Sequence, residues 1–131
     1  MAGWGTGSFE NEDAQKWLGK LSLLGIDDLK QILSRAADQS DYLEAPDASI
    51  VVAAAEVLAT MKGAPPEQLP REIVDWTTRT KGGSTAEINE LAVRAVDKVR
   101  RNSELKDLWL EADGLNEWTA ALQDLQTRLS S

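Results

Sequence analysis

The sequence contains no cysteine and no histidine. Without cysteine the chain has no disulfide, no thiolate nucleophile and no zinc–cysteine site, so it needs no oxidising compartment. Without histidine it lacks the commonest general base near neutral pH and the commonest transition-metal ligand. Any catalysis would have to use carboxylates, hydroxyls, lysine, arginine or the single tyrosine, Tyr42. We therefore predict neither a metal nor a cofactor.

Positive charge is also scarce, with 14 lysine and arginine residues against 22 aspartate and glutamate residues. The formal net charge is -8 and the sequence pI is about 4.5. Such a chain repels phosphate backbones and anionic membranes, so we predict that it binds neither nucleic acid nor a membrane. A basic protein surface would instead be attracted, because complementary charge speeds encounter. The predicted partner is another protein, most favourably a basic one, and the oligomeric state stays open.

Long hydrophobic runs are missing from the sequence. The most apolar stretch, residues 50–55, is followed directly by Glu56 and is too short to cross a bilayer. The first residues carry no basic segment followed by an apolar run, which a secretory signal would need. We therefore expect a cytoplasmic protein.

Length and periodicity together predict the fold class. A chain of 131 residues with 42% hydrophobic and 27% charged residues has the composition of one ordinary soluble domain. Apolar residues recur at helical spacing along most of the chain, and the only β-branched run, residues 50–52, leads into alanines that favour helix. We predict an all-α protein, a single compact bundle of about six or seven helices over residues 1–131, with residues 1–11 as an irregular N-terminal strap.

Capping residues predict where some of these helices begin and end. Asn11 or an acidic neighbour can cap a first helix whose apolar positions run on to Leu21, with Gly25 ending or interrupting it. Ser84 and Glu87 have the spacing of a capping box ahead of the clearest amphipathic run in the chain.

The opening stretch combines three glycines, Gly3, Gly5 and Gly7, with the aromatic residues Trp4 and Phe9. It superficially resembles a phosphate-binding loop, but it lacks the preceding strand of a dinucleotide fingerprint and the lysine of a Walker loop. We favour a structural strap, in which the glycines permit tight turns and the two aromatic side chains pack into the core. A ligand loop is the alternative.

Several of these residues are also part of a longer pattern. The pattern comprises Gly3-Trp4-Gly5-x-Gly7-x-Phe9-Glu10-Asn11-x-x-Ala14-x-x-Trp17-Leu18, Asp41-Tyr42-Leu43-Glu44, Ala54-Ala55-Glu56, Ser103-Glu104-Leu105-x-x-Leu108-Trp109 and Trp118. It resembles a bacterial family known only as domain of unknown function 4259, and the similarity runs along nearly the whole chain. The resemblance implies no activity, cofactor or catalytic residue.

The densest acidic segment spans residues 38–47, where Asp38, Asp41, Glu44 and Asp47 recur at every third position. A helix–loop–helix calcium site needs ligands at alternate positions, a central glycine and a closing bidentate glutamate, and this segment has none of these. We favour a solvated connection with capping roles over a metal site.

Glu56 is the most unusual single carboxylate in the sequence. It lies in an alanine- and valine-rich helix that is predicted to have Pro46 in its first turn, to run through Ile50 to about Met61 and to end at Gly63. A charge in such a helix is costly unless it is paired. We expect Glu56 to lie on a wet strip or to form a structural polar link with Tyr42 or an arginine, and catalysis is the less favoured alternative.

Three functions stay open on the sequence alone. The first is a non-enzymatic protein-binding module, which in a sharper form would be an immunity or inhibitor protein for a basic toxin. The second is a carboxylate-based hydrolase that uses Glu10, Asp41, Glu44 and Glu56. The third is a structural or oligomer-forming role, for which exposure of Trp76 and Trp109 would be the evidence. The candidate binding or polar-core residues are Trp4, Phe9, Glu10, Asn11, Trp17, Asp41, Tyr42, Glu44 and Glu56.

Overall fold

Helices make up most of the backbone in the computed structural model, which describes residues 9, 11–38, 42–67, 69–80 and 85–130. In these ranges the chain forms seven α-helices and one short 3₁₀ turn, so the prediction of an all-α bundle of six or seven helices is confirmed. They are α1 (Glu12–Leu18), the 3₁₀ turn (Leu21–Leu23), α2 (Ile26–Asp38), α3 (Ala45–Lys62), α4 (Arg71–Arg79), α5 (Ala86–Arg101), α6 (Glu104–Glu111) and α7 (Leu115–Ser130).

Helix α3 lies at the centre of the bundle and contacts each of the other six helices. Every residue from 48 to 59 is buried except Ile50, which is half-buried. A helix that is apolar all round can satisfy its surface only by being surrounded, and each fully buried valine or leucine contributes about 1.5–3 kcal/mol. Pro46 lies in its first turn and Gly63 ends it in the left-handed conformation with φ 100°, both at the predicted places.

Helix α1 is shorter than the sequence predicts. Asn11 caps it by accepting a hydrogen bond from the Ala14 amide at 2.8 Å, but the helix ends at Leu18 rather than near Gly25. Lys20 N–H donates to the Trp17 carbonyl at 2.9 Å, which tightens the chain toward the 3₁₀ turn. Leu21 is fully buried in that turn, so the apolar spacing correctly predicts that it faces the core, whereas the predicted end of the helix is wrong.

The start of helix α5 differs from the prediction by one residue. Thr85, not Ser84, is the N-cap, and its hydroxyl accepts a hydrogen bond from the Ile88 amide at 3.3 Å. Ser84 itself lies outside the described residues. Both residues are good caps. Ile88, the third residue of the helix, is apolar and buried.

One backbone junction joins the middle of the chain to its C-terminal third. The Leu43 amide donates to the Asn102 carbonyl at 3.3 Å, and the Glu104 amide donates to the Leu43 carbonyl at 2.7 Å. Leu43 and Ser103 thereby form an isolated parallel bridge. The junction places Tyr42, next to Leu43, beside the start of α6.

In the described ranges, no helix has both the length and the apolar character that a membrane crossing requires.

The turn between α6 and α7 depends on Gly114. A Cβ at this position would lie 2.7 Å from Cε3 and 2.9 Å from Cζ3 of the Trp109 indole. Trp109 is buried and its ring cannot move aside as a flexible chain end would. Gly114→Ala should therefore lower the free energy of unfolding by about 1–3 kcal/mol, the usual cost of overpacking. Urea denaturation would measure it, and an alanine variant at the open Gly25 is the control; equal, small losses at both sites would contradict the close approach.

Candidate functional site

Those candidate residues that the structure describes occupy different parts of the fold. Trp4, Glu10 and Asp41 lie outside the described residues. Phe9 and Trp17 are buried in the hydrophobic core, and the Phe9 carbonyl accepts a hydrogen bond from Gln15 Nε2 at 2.7 Å. Asn11 is engaged as the cap of α1. The remaining three, all carboxylate or phenol groups, are Tyr42, Glu44 and Glu56.

Glu56 is buried and forms a bidentate ion pair with Arg128 near the end of α7. Arg128 Nη1 donates to Oε1 at 2.6 Å and Nη2 donates to Oε2 at 3.0 Å. The same guanidinium donates to Asp124 Oδ2 at 2.8 Å and to the Ala64 carbonyl at 3.2 Å. Burial works against the charged form of Arg128, but the hydrogen bonds and charges of Glu56 and Asp124 outweigh it and raise its pKa. This arrangement is a structural link between α3 and α7.

Glu44 is exposed at the N-cap position of α3, where its side chain makes no capping hydrogen bond. Glu56 follows twelve residues later in the same helix, so the rise between them is roughly 18 Å. Paired-carboxylate hydrolysis needs two carboxyl groups about 5–9.5 Å apart. These two candidates therefore cannot act together on one bond. In the part of the chain that the structure describes, no three acidic, histidine or cysteine side chains converge where a metal ion could bind.

Tyr42 lies on the surface, where the residue is 46% exposed, and it contacts an acidic side of α6. Its hydroxyl donates a hydrogen bond to Asp107 Oδ2. This hydrogen bond, together with the negative charges of Asp107, Glu104 and Glu111, raises the pKa of Tyr42 to about 12. The three carboxylates are three, four and seven positions apart, which places them on one side of the helix. We call Tyr42, Glu104, Asp107 and Glu111 the acidic face.

An exposed leucine borders the acidic face. Leu110 is 58% exposed and follows Asp107 by one helical turn. Glu104 is also tied into the fold, since its Oε1 accepts a hydrogen bond from the Ala45 amide at 2.8 Å. Asp107 and Glu111 are exposed. The acidic face therefore combines an accessible aromatic group with exposed carboxylates, it lies beside an accessible apolar group, and it is held in place at one end.

Sequence reasoning identified Tyr42 but missed the α6 carboxylates. The spacing of Glu104, Asp107 and Glu111 is a visible signal, because like charges three and four residues apart share a side of a helix. That signal does not show what faces them, since Tyr42 lies 65 residues from Asp107 in the chain. Arg128, 72 residues from Glu56, was likewise out of reach of any local pattern.

The titration of Tyr42 tests this geometry directly, because it is the only tyrosine. We expect its ionisation, followed by the ultraviolet absorbance of tyrosinate, near pH 12 rather than at the ordinary pKa of 10.0. The folded-state pKa lies above the unfolded value, so the stability from this hydrogen bond is complete below pH 10 and is lost as the pH rises through about 12. Asp107→Asn should move the midpoint down, and Glu117→Gln on α7 should not. A midpoint at the ordinary value in the folded wild type would contradict the geometry.

The protein is thus an all-α bundle with a paired charge inside and an acidic, partly apolar face outside. Residues 3–121 match the family described as Domain of unknown function (DUF4259), and the chain belongs to that family. No curated protein and no solved structure matches the chain.

Proposed function

We propose that this domain is a non-enzymatic protein-binding module whose acidic face binds a basic surface of another protein. The observation that carries the proposal is the exposed Tyr42, hydrogen-bonded to Asp107, with Glu104 and Glu111 on the same side of α6 and the exposed Leu110 beside them. Aromatic side chains are enriched in protein interfaces, and complementary charge gives such contacts their specificity. An arginine of the partner could meet both the Tyr42 ring and the Asp107 carboxylate.

The net charge supports the same partner chemistry. With a formal charge of -8, the whole molecule attracts a basic protein at long range, and the acidic face supplies the local contacts.

The four described tryptophans, Trp17, Trp76, Trp109 and Trp118, are all buried in the core. They offer no contact area to a second subunit, so an oligomer built on Trp76 and Trp109 loses its support.

A capture experiment with a charge-matched control tests the proposal. The three baits are the wild type, Asp107→Asn/Glu111→Gln on the acidic face, and Asp75→Asn/Glu90→Gln at exposed sites on α4 and α5. Both double variants lose one aspartate and one glutamate charge, so they differ only in where the charge is lost. We expect a basic protein from a host-cell extract to bind the wild type and the control, to bind the face variant poorly, and to be released by salt.

The outcomes separate the alternatives. Equal recovery of the basic protein on all three baits would show that the acidic face is not the contact. A captured nuclease or other nucleic-acid-handling protein whose activity the domain blocks would identify the sharper form, an immunity or inhibitor protein. Capture of a basic protein without inhibition of its activity would support the binding module and exclude the immunity or inhibitor role. A partner that is acidic and insensitive to salt would contradict the proposal.

A further inference from the structure

The last turns of helix α5 concentrate positive charge in an otherwise acidic chain. Arg94, Lys98 and Arg101 are four and three positions apart, so they lie on one side of the helix. They line a groove of about 560 Å³ that α5 forms with the end of α2 and with α7, and its apolar walls include Ala37 and Val93. We call Arg94, Lys98 and Arg101 the basic row.

The charge of the basic row is only partly compensated within the molecule. Arg101 pairs with Asp97 at 2.9 Å, and Asp97 is the one carboxylate among the described residues that line the groove. Arg94 lies 4.0 Å from Asp38, and 58% of its side chain is exposed. In the ranges that the structure describes, the half-buried Lys98 takes part in no ion pair. The groove can therefore accept further carboxylates.

The acidic face carries complementary charges at the same spacing in reverse order. Its three α6 carboxylates are three and then four positions apart, whereas the basic row is spaced by four and then three. When two helices with these rows lie antiparallel, the rises of about 6 Å and about 4.5 Å coincide. The resulting pairs are Glu111 with Arg94, Asp107 with Lys98, and Glu104 with Arg101.

These pairs are not formed within one molecule. Across the part of the chain that the structure describes, no ion pair joins the basic row to the acidic face, although only Asn102 and Ser103 separate α5 from α6. Asp107 and Glu111 are exposed, as are Arg94 and most of the Arg101 side chain. Both rows are thus available to another molecule.

We propose that a second copy of the chain places its acidic face in this groove, with its α6 antiparallel to α5. Each copy carries both rows, so a twofold arrangement forms the contact twice, as in an isologous dimer. The exposed Leu110 beside the acidic face supplies an apolar contact to the Val93 and Ala37 wall. The pairing goes beyond the proposed function and does not rest on it. Because it uses the same acidic face, a second copy and the basic partner compete for that face.

The net charge determines the conditions in which this pairing is measured. Two molecules with a formal charge of -8 repel each other at long range. Salt at about 0.15 M screens exposed charges beyond about 8 Å, so most of this repulsion is removed while the pairs in direct contact are weakened less. We therefore expect the dimer at about this ionic strength.

Reversal of the charges in one pair tests the proposal. The variants are Arg94→Glu and Glu111→Arg, both at exposed positions. In sedimentation equilibrium, the mass of the wild type should rise with concentration from 14.3 kDa toward twice that value. Either variant alone places like charges in both contacts, which should raise the dissociation constant of the dimer at least about tenfold. An equal mixture of the two variants restores opposite charges in both contacts and should restore the dimer.

Lys30→Glu on α2 and Asp75→Arg on α4 make the same changes of charge at exposed positions outside the two rows. Both controls should dimerise as the wild type does. A wild type that is monomeric at every concentration would overturn the proposal. So would a mixture that stays monomeric, or controls that dimerise as poorly as the variants in the rows.

The capture experiment separates this pairing from the proposed function. Arg94→Glu leaves the acidic face unchanged and serves as a further bait for the basic protein. It should capture at least as much of that protein as the wild type does, because the second copy no longer competes. A dimer that forms while no bait captures a basic protein would contradict the proposed function alone. Capture through the acidic face by a wild type that never dimerises would overturn the pairing alone.

Discussion

Replacing Arg128 with methionine should lower the free energy of unfolding by about 3–5 kcal/mol, because it leaves the Glu56 carboxylate buried without its cation. Only 2% of Glu56 is exposed, so its carboxylate has little contact with water in the folded protein. The Ala64 carbonyl and Asp124 lose a donor in the same step. For a domain whose total stability is about 5–15 kcal/mol, such a loss threatens folding at moderate temperature.

The matched control is Arg101→Met. Arg101 is paired with Asp97 at 2.9 Å, but 71% of its side chain is exposed, so its loss should cost less than about 1 kcal/mol. Urea denaturation of both variants gives the comparison. Equal losses would show that the Glu56–Arg128 pair is no more important than a surface pair. The double variant Glu56→Leu/Arg128→Met should recover much of the stability, since an apolar pair removes the uncompensated charge.

Trp76→Ala should lower the free energy of unfolding by about 3–5 kcal/mol, as expected for removal of a large core aromatic. Trp76 is fully buried in α4, and its indole N–H donates to the Leu24 carbonyl at 2.8 Å. The side chain therefore joins α4 to the segment that follows the 3₁₀ turn. Its removal leaves a cavity and also an unsatisfied carbonyl.

Trp76→Phe separates these two contributions. Phenylalanine keeps most of the apolar volume but cannot donate to Leu24, so we expect a loss of about 1–3 kcal/mol, smaller than that of the alanine variant. Thermal and urea unfolding measure both. If the two variants lost the same stability, packing of the ring would contribute little and the hydrogen bond would dominate. If neither lost stability, the burial of α4 would be contradicted.

Local signals in the sequence were enough for most of the fold. Pro46 and Gly63 bounded α3 because their backbone preferences act within one turn of the helix. The end of α1 was misplaced because Leu21 has the same apolar spacing whether the chain continues as α-helix or tightens into a 3₁₀ turn. The cap of α5 was shifted because Ser84 and Thr85 offer equivalent hydroxyls side by side.

The polar arrangements were predictable only in part. The composition of α3 showed that Glu56 needed a structural partner or a wet strip, and an arginine was one of the expected partners. Periodicity could not identify Arg128, because it fixes which side of a helix a residue occupies and not which distant helix lies opposite. The same limit hid the meeting of Tyr42 with Asp107, which depends on the backbone junction at Leu43.

The salt dependence of the purified complex, formed with the captured basic partner, tests the central claim most directly. We expect the dissociation constant of the wild type to rise with ionic strength. That of Asp107→Asn/Glu111→Gln should be about tenfold higher, which corresponds to ~1.4 kcal/mol of binding free energy, the size of two lost surface ion pairs. Asp75→Asn/Glu90→Gln should bind as the wild type does. Equal weakening of both double variants would show that only net charge matters and would contradict the acidic face as the binding site.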